Sequence, residues 1–130
     1  MTPADPKALL AIWANVAPGH REECQRWHNC EHTTDRVLCP GFRVCRRFQA
    51  VDGEKDPDFL VVYEAQDQEA FRSAPYLHQL NHPSPWSLRL LPCIKDVQRA
   101  VYRLEASCGD APSVEASYIR AVRMNPPGRG

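Results

Sequence analysis

The distribution of apolar residues predicts four β-strands. Residues 8–16 and 58–65 are apolar at almost every position, which is typical of short strands buried on both faces. Residues 42–50 alternate between apolar and polar, as expected of a strand with one face on a core. Residues 93–104 carry enough apolar positions for a fourth strand. At 130 residues the chain is long enough for one domain, with a core over about residues 8–105.

Two helices are predicted between these strands. The first lies between Pro18-Gly19 and Pro40-Gly41, because both pairs break regular structure. Asp67 is a suitable N-cap for the second, which we expect from Gln68 to about Gln79. Asp52-Gly53 is typical of a hairpin turn between the middle strands. The order β-α-β-β-α-β predicts an α+β ferredoxin-like fold, a four-stranded antiparallel sheet with two helices on one face.

One face of this sheet has no predicted cover. The first and third strands are apolar on both faces, yet the two helices can cover only one face. A second copy of the chain is the simplest cover, so we expect a homodimer that forms a dimeric α/β barrel. Residues 113–124 also look like a strand, which has no place in the βαββαβ unit and is available to reach across to the partner.

The first helix concentrates reactive side chains in the segment Trp27-His28-Asn29-Cys30-Glu31-His32. On a regular helix of 100° per residue, Cys30, Thr34 and Leu38 share an apolar sector with the indole of Trp27. Glu31 lies inside that sector. A buried carboxylate must be paired or protonated, and burial beside a hydrogen-bonding partner is a common way to prepare a general acid or base.

Three interpretations of this segment stay open. His28, Glu31 and His32 match the His-x-x-Glu-His pattern of inverted zinc proteases, but no third ligand is recognisable in the sequence. Alternatively, Glu31 and His28 exchange a proton without any metal, and Asp35 or His32 supports them. The third interpretation is a solvated helix face with ordinary i,i+4 pairs. We expect no metal and no other cofactor.

Arg46 occupies the apolar phase of the second strand. An arginine there needs an acidic partner, and Glu31 or Asp35 on the covering helix is the nearest candidate by pattern. Arg46 is therefore predicted to orient Glu31 or to stabilise an enolate oxygen. A β-bulge would exchange its role with that of Arg47.

Five further side chains are candidates for substrate binding. Trp27 and Tyr63 belong to predicted regular elements, whereas Asn81, Trp86 and Arg89 lie in or beside a proline-containing segment that suits a pocket rim. Each has an ordinary alternative, namely packing for the aromatic residues and solvent exposure for the polar ones.

The composition limits the kinds of molecule that the protein is expected to bind and the cellular compartment in which it is expected to reside. Lys and Arg number 16 and are balanced by 16 Asp and Glu, which argues against a nucleic-acid or anionic-membrane partner. Six cysteines without a Cys-x-x-Cys pair favour free thiols in a reducing cytoplasm. No apolar run approaches the roughly 20 residues of a membrane-spanning helix.

The chain resembles the dimeric α/β-barrel superfamily over about residues 8–105. The resemblance is carried by the Trp13-Ala14-Asn15-Val16 strand, the Trp27-to-His32 helix and the Pro40-Gly41-Phe42 strand entry. The superfamily includes EthD-like proteins, muconolactone isomerases, polyketide cyclases and quinol-forming monooxygenases, and the helix is most similar to an uncharacterised branch close to EthD-like proteins. The resemblance implies a pocket between sheet and helices for small aromatic or lactone substrates, without a tightly bound cofactor. Heme-binding relatives also exist, but no isolated histidine here is an obvious axial ligand.

The main functional hypothesis is a cofactor-independent acid–base enzyme acting on a small apolar carbonyl or aromatic compound. Its reaction would be an isomerisation, a cyclisation or a lyase cleavage. One alternative is a non-catalytic small-molecule binding protein of the same fold. The other is an oxygen-using, monooxygenase-like or metal-dependent enzyme.

Overall fold

The computed structural model describes residues 7–51, 57–108 and 118–124. Its four strands are β1 (Ala8–Val16), β2 (Phe42–Gln49), β3 (Phe59–Ala65) and β4 (Ile94–Arg103). They form one antiparallel sheet in the order β2-β3-β1-β4, which is the ferredoxin-like order. The predicted α+β fold is confirmed. The predicted turn at Asp52-Gly53 lies outside the described residues.

The helical run between β1 and β2 changes its winding in the middle. α1 (Arg21–Trp27) leads into a π-helical segment (His28–His32), and α2 (Thr33–Val37) completes the run. The N–H of Thr33 donates to the carbonyl of His28, five residues back rather than four. Side chains after the π-helical segment therefore point in other directions than a regular helix predicts.

The predicted second helix is divided in two. The helical segments after β3 are a 3-10 helix (Gln68–Arg72), α3 (Ala74–Asn81), α4 (Pro85–Leu90) and a 3-10 turn (Leu91–Cys93). Asp67 caps the first of these as predicted, since its carboxylate accepts from the N–H of Glu69 at 2.9 Å. Ser73 is extended and caps α3, which separates it from the 3-10 helix. Within the described part of the chain, none of the helices has the length and apolar character needed to cross a bilayer.

Gly41 lets β2 begin close to the 3-10 helix. Its φ is 88°, in the region that favours glycine, and a Cβ there would lie 2.9 Å from the Cβ of Ala70. The Pro40-Gly41 break is thus both a turn and a close approach. It places Phe42 in the main core, edge to face with Phe71 at 5.2 Å between centroids.

A bulge near the start of β2 exchanges the faces of its later side chains. Phe42 pairs with Ala65, but Val44 pairs with Glu64, so one extra residue is accommodated between these pairs. Arg46 consequently faces away from the helices. The predicted shared face for Phe42, Val44 and Arg46 is wrong, because strand alternation was extrapolated through the bulge.

The sheet buries side chains on both faces. The helix-covered face holds the main core, whose larger members are Leu10, Phe42, Phe59, Val61, Tyr63, Phe71 and Tyr76. The opposite face, called here the open face, carries Leu9, Ala11, Trp13, Phe48, Leu60 and Val62. This two-sided burial agrees with the apolar pattern of β1 and β3.

Residues 118–124 lie over the open face. They enclose with it a cavity of about 480 Å³, which Ile119 and Val122 help to line. The guanidinium of Arg123 lies 4.2 Å from the ring centroid of Trp13. Residues 118–124 do not form a strand, although one was predicted at 113–124. The remainder of that predicted strand, 113–117, lies outside the described residues.

Candidate functional site

A cavity of about 200 Å³ lies between the helices and the covered face of the sheet. Its walls come from β1, β3, β4, the first helical run, α3 and the 3-10 turn (Leu91–Cys93). Aromatic side chains line much of it: Trp27, Phe59, Tyr63 and Tyr76. We call this the aromatic cavity. It is the place where the sequence predicted a pocket.

Two histidines of the first helical run line this cavity. The imidazole of His32 stacks on the indole of Trp27, with centroids 4.2 Å apart and an angle of 27° between the planes. His28 contacts both rings edge to face, at 4.9 Å from Trp27 and 5.1 Å from His32. The π-helical segment produces this cluster, because it brings residues five positions apart onto one side of the helix.

Burial keeps both histidines neutral. Burial lowers the pKa of His28 to about 3, and the positive charge of Arg47 contributes. Burial also lowers the pKa of His32 to about 2, with smaller contributions from Arg36 and His28. The Nδ1 of His28 is buried and has no hydrogen-bond partner among the described residues. A neutral imidazole with an unsatisfied nitrogen is available to a ligand.

The charged groups that line the aromatic cavity are cationic. Among its described lining residues these are Arg36 and Arg99, and none is a carboxylate. Arg36 Nη1 donates to Gln79 Oε1 at 2.6 Å, and Arg99 Nη2 donates to the hydroxyl of Tyr76 at 3.2 Å. Positive charge beside an apolar cavity favours an anion, or a group that becomes one on losing a proton.

Arg47 takes the position predicted for Arg46 once the bulge is taken into account. Its guanidinium lies 5.0 Å from the ring centroid of Phe59, on the covered face. Burial lowers the pKa of Arg47, although the group stays charged. Arg46 instead pairs with Glu64 at 3.2 Å on the open face. The bulge therefore exchanges the faces of the two arginines, but Arg47 does not line the aromatic cavity, and a role of Arg47 in the site stays a prediction.

Glu31 ties the first helical run to the segment around α4. Its Oε2 accepts from the Ser84 hydroxyl at 2.7 Å, from Trp27 Nε1 at 3.1 Å and from the Ser87 hydroxyl at 3.4 Å. The predicted pair with Arg46 is wrong, because the two side chains lie on opposite sides of the sheet. Glu31 does not line the aromatic cavity.

The predicted apolar sector of the first helix is also wrong beyond Trp27. Cys30 and Thr34 are exposed, and Leu38 is 74% exposed. The regular 100° spacing fails at the π-helical segment, which adds a residue to one turn. His28, which lies outside that predicted sector, is buried instead, at 4% exposure.

The candidate binding residues fall into two groups. Trp27 and Tyr63 line the aromatic cavity. Asn81 is exposed at the end of α3, Trp86 packs beside the cluster of Trp27 and its neighbours, and Arg89 pairs with Glu23 at 3.0 Å. Asn81 and Arg89 are therefore exposed to solvent and Trp86 packs against its neighbours, as the alternatives to substrate binding predicted. Arg36, Tyr76 and Arg99 were not predicted as site residues, since only the tertiary structure brings them together.

A second, more polar cavity of about 210 Å³ adjoins the aromatic one. Trp27, His32, Arg36, Leu80 and Leu91 line both. Its polar members include Asp35, Gln79, His82, Ser84 and Ser87. We call it the polar cavity. No group of three or more His, Cys, Asp or Glu side chains within the described ranges could hold a metal ion, so the zinc interpretation gains no third ligand.

Several solved structures have this fold. SnoaB from Streptomyces nogalater, a cofactor-independent oxygenase, is 16% identical, with 82% of this chain and 100% of that one covered and a TM-score of 0.60. The heme-degrader MhuD from Mycobacterium tuberculosis, solved with two hemes in its active site, is 18% identical, with coverages of 78% and 99% and a TM-score of 0.55. A candidate antibiotic biosynthesis monooxygenase from Nitrosomonas europaea is 16% identical, with coverages of 84% and 100% and a TM-score of 0.55.

These similarities establish the fold and redirect the functional hypothesis. No family model matches the sequence, and no curated protein is similar enough in sequence to count as a relative. The predicted ferredoxin-like α+β fold of the chain agrees with the solved structures, whereas an EthD-like branch finds no support. Their names indicate oxygen chemistry, so the main expectation of an isomerase, cyclase or lyase is wrong.

Proposed function

We propose that this protein is an oxygenase that oxidises a small phenolic compound in the aromatic cavity without a metal or organic cofactor. The observation that carries the proposal is His28, a buried neutral imidazole whose Nδ1 is unpartnered among the described residues, in a cavity lined by cationic but not acidic groups. The oxygenases among the proteins of this fold give the type of reaction.

The size and walls of the cavity limit the substrate. An apolar cavity of about 150 Å³ is known to bind benzene. The 200 Å³ found here therefore suits a single substituted ring. Phe59 and Tyr76 offer it aromatic contacts at both the sheet and the α3 side.

The chain's own side chains can prepare the substrate for such a reaction. The positive charges of Arg36 and Arg99 favour ionisation of the bound phenol, which releases its proton to solvent, and they stabilise the phenolate. The neutral ring of His28 donates a hydrogen bond from Nδ1 to the phenolate oxygen. The electron-rich phenolate then reduces dioxygen, and a ring carbon forms a bond to oxygen. Loss of water from the resulting hydroperoxide leaves a carbonyl, so that a hydroquinone and dioxygen give a hydroxyquinone and water. The substrate supplies all the electrons, which is why no separate reductant is required.

A porphyrin does not fit this site. Pockets for drug-sized ligands measure about 300–1,000 Å³, and heme is at least as large as such ligands. The aromatic cavity, at about 200 Å³, is smaller than this range. We therefore assign no residue to heme and derive no step through it.

We further infer that the protein forms a homodimer through its open face. On the open face Trp13 and Phe48 are only half-buried, and residues 118–124 leave a cavity of about 480 Å³ above them. Apolar surface that the chain itself covers only in part favours a partner there. A second sheet would fill the space with side chains, as the dimeric α/β-barrel resemblance implies. A cytoplasmic location, expected from the cysteine pattern, stays a prediction.

Dioxygen uptake tests the proposed reaction. Purified protein treated with a chelator should consume oxygen in the presence of simple hydroquinones or catechols. His28→Leu should lower the rate by about 100-fold or more, which is typical for loss of a hydrogen-bond donor to a reacting oxyanion. His78→Leu is the matched control, because His78 is exposed and does not line the aromatic cavity.

The other functional hypotheses predict different results. Saturable phenol binding without oxygen uptake would establish a non-catalytic binding protein instead. Activity that disappears on chelation and returns with a metal would support the metal-dependent alternative. Either result would overturn the proposal.

A further inference from the structure

We propose that the polar cavity is a second subsite, which binds a neutral hydrogen-bond-donating side arm of the same substrate. This inference rests on the proposed function, since the ring of the substrate is taken to occupy the aromatic cavity. The substrate class becomes a phenol whose arm ends in a hydroxyl or a carboxamide. His82 is the residue that would recognise the end of this arm.

The two cavities are placed to receive one ligand. They have similar volumes, about 200 and 210 Å³, and the stacked rings of Trp27 and His32 line both. Arg36 and Leu80 line both cavities as well. Because the two cavities adjoin along these shared residues, a ring in the aromatic cavity can carry an arm that continues into the polar cavity. A compact phenol without an arm would leave the polar cavity to water.

The charges of the polar cavity give an ionic arm no advantage. Asp35 and Arg36 both line this cavity, so their opposite charges are balanced there. Arg36 is held by Gln79, whose Oε1 accepts from it at 2.6 Å while Gln79 Nε2 donates to the Asp35 carbonyl at 2.7 Å. An ionic arm of either sign would meet one attractive and one repulsive charge, and it would lose its hydration without a net electrostatic gain.

An apolar arm is disfavoured by desolvation. The ring of His82 lines the polar cavity beside Ser84 and Ser87, whose hydroxyls are already hydrogen-bonded to Glu31. An alkyl group would displace water from the ring nitrogen of His82 without replacing its hydrogen bond. The arm is therefore expected to be neutral and polar.

His82 favours an arm that ends in a hydrogen-bond donor. The Nδ1 of His82 lies 2.8 Å from the carbonyl oxygen of His78, so in the neutral ring this nitrogen carries the proton and donates it. Nε2 of that tautomer is then an acceptor. It suits an O–H or N–H at the end of the arm.

The chain offers a closely matched pair of variants. His78 and His82 stack on each other, with centroids 4.0 Å apart and an angle of 21° between the planes. Only His82 lines the polar cavity. Replacing either by phenylalanine keeps an aromatic ring for the stack, but only His82→Phe removes a hydrogen-bonding group from the cavity.

Calorimetric titration with four arm-bearing phenols tests the subsite. The probes are para-propylphenol, para-(hydroxyethyl)phenol, para-(carboxymethyl)phenol and para-(aminoethyl)phenol. The hydroxyethyl compound should bind about tenfold more tightly than the propyl compound of the same shape, the effect of one good hydrogen bond, and more tightly than both ionic compounds. His82→Phe should remove this preference, and His78→Phe should retain it.

A probe without an arm separates this inference from the proposed function. If para-cresol binds and His28→Leu weakens it, but the propyl and hydroxyethyl compounds bind equally, the subsite is refuted and the oxygenase site stands. A preference that survives His82→Phe refutes the role of His82. If none of the phenols binds, the proposed function fails and the subsite fails with it.

Discussion

Trp27 and His32 stack face to face although they are five positions apart in one helical run. The ring centroids are separated by 4.2 Å. On a regular α-helix, residues five apart differ by about 140° in direction, and their side chains do not meet. The π-helical segment (His28–His32) removes most of that difference. This one contact therefore depends on an irregular turn, and both of its rings line the aromatic and the polar cavity.

Replacing Trp27 by alanine should strongly destabilise the protein. Its side chain is buried and packs against Cys24 and Leu90 as well as His32. We expect Trp27→Ala to lower the free energy of unfolding by about 3–5 kcal/mol, the usual range for truncating a buried tryptophan. Urea denaturation followed by circular dichroism measures this. Trp86→Ala is the control, and because Trp86 is only half-buried its loss should be smaller.

The stability of the protein should fall as the solution is acidified below about pH 6.5. The folded state lowers the pKa of His28 to about 3 by burial, whereas the unfolded chain has an ordinary value near 6.5. Between these two pH values the unfolded state binds a proton at His28 and the folded state does not. The contribution of His28 to the free energy of unfolding is therefore complete above pH 6.5 and decreases as the pH falls. The expected slope is about 1.4 kcal/mol per pH unit for one such group.

Comparison with a variant isolates this contribution from that of other groups. The free energy of unfolding of His28→Leu should depend less on pH between 5 and 6.5 than that of the wild type. Equal slopes for the two proteins would show that His28 is not held neutral by burial. His78→Leu should keep the wild-type slope, since His78 is exposed.

Glu31→Gln should weaken folding rather than abolish the reaction. Its carboxylate accepts hydrogen bonds from Trp27, Ser84 and Ser87. Loss of the charge weakens these bonds, so we expect the free energy of unfolding to fall by about 1–3 kcal/mol. Glu22→Gln, at an exposed position of α1, should change it little. If Glu31→Gln lowered turnover as much as His28→Leu and left stability unchanged, Glu31 would have a catalytic role instead of a structural one.

A charge on the open face should disrupt the proposed dimer. Tyr102 lines the cavity on that face and is 40% exposed, whereas Val101, the preceding residue of β4, is 36% exposed and pairs with Leu10 of the covered-face core. Sedimentation equilibrium should find a dimer for the wild type and for Val101→Glu, but a folded monomer for Tyr102→Glu. A monomeric wild type would refute the dimer, as would a Tyr102→Glu protein that stays dimeric.

Most of the fold was predictable because its signals are local. The strands β1 and β3 are apolar in both phases, Pro40-Gly41 ends the first helical run, and Asp67 caps the next segment. The break at Ser73 was missed, although Pro75 two residues later suits the second position of a new helix. Each of these features depends on only a few neighbouring residues.

The site was predictable only in part, because two single-residue irregularities change which side chains meet. The bulge after Phe42 sends Arg46 to the open face and Arg47 to the covered one. The π-helical segment buries His28. Periodicity assumes a constant repeat, so it cannot reveal where the repeat is interrupted. His28 and Trp27 were named from residue type, whereas their geometry required the tertiary structure.

The extra residue of the π-helical segment gives the first helical run a place where its length can change by one residue without moving the side chains that follow. Deleting Asn29, which is exposed, would allow the run to close as a regular α-helix, in which His32 is four positions after Trp27 and lies on the same side. His32 and Arg36 would then keep their directions. A deletion of one residue within α2 would instead turn the residues after it by about 100°. Homologues that lack one residue in the π-helical segment should therefore accept the same ligands, whereas homologues that lack one in α2 should not.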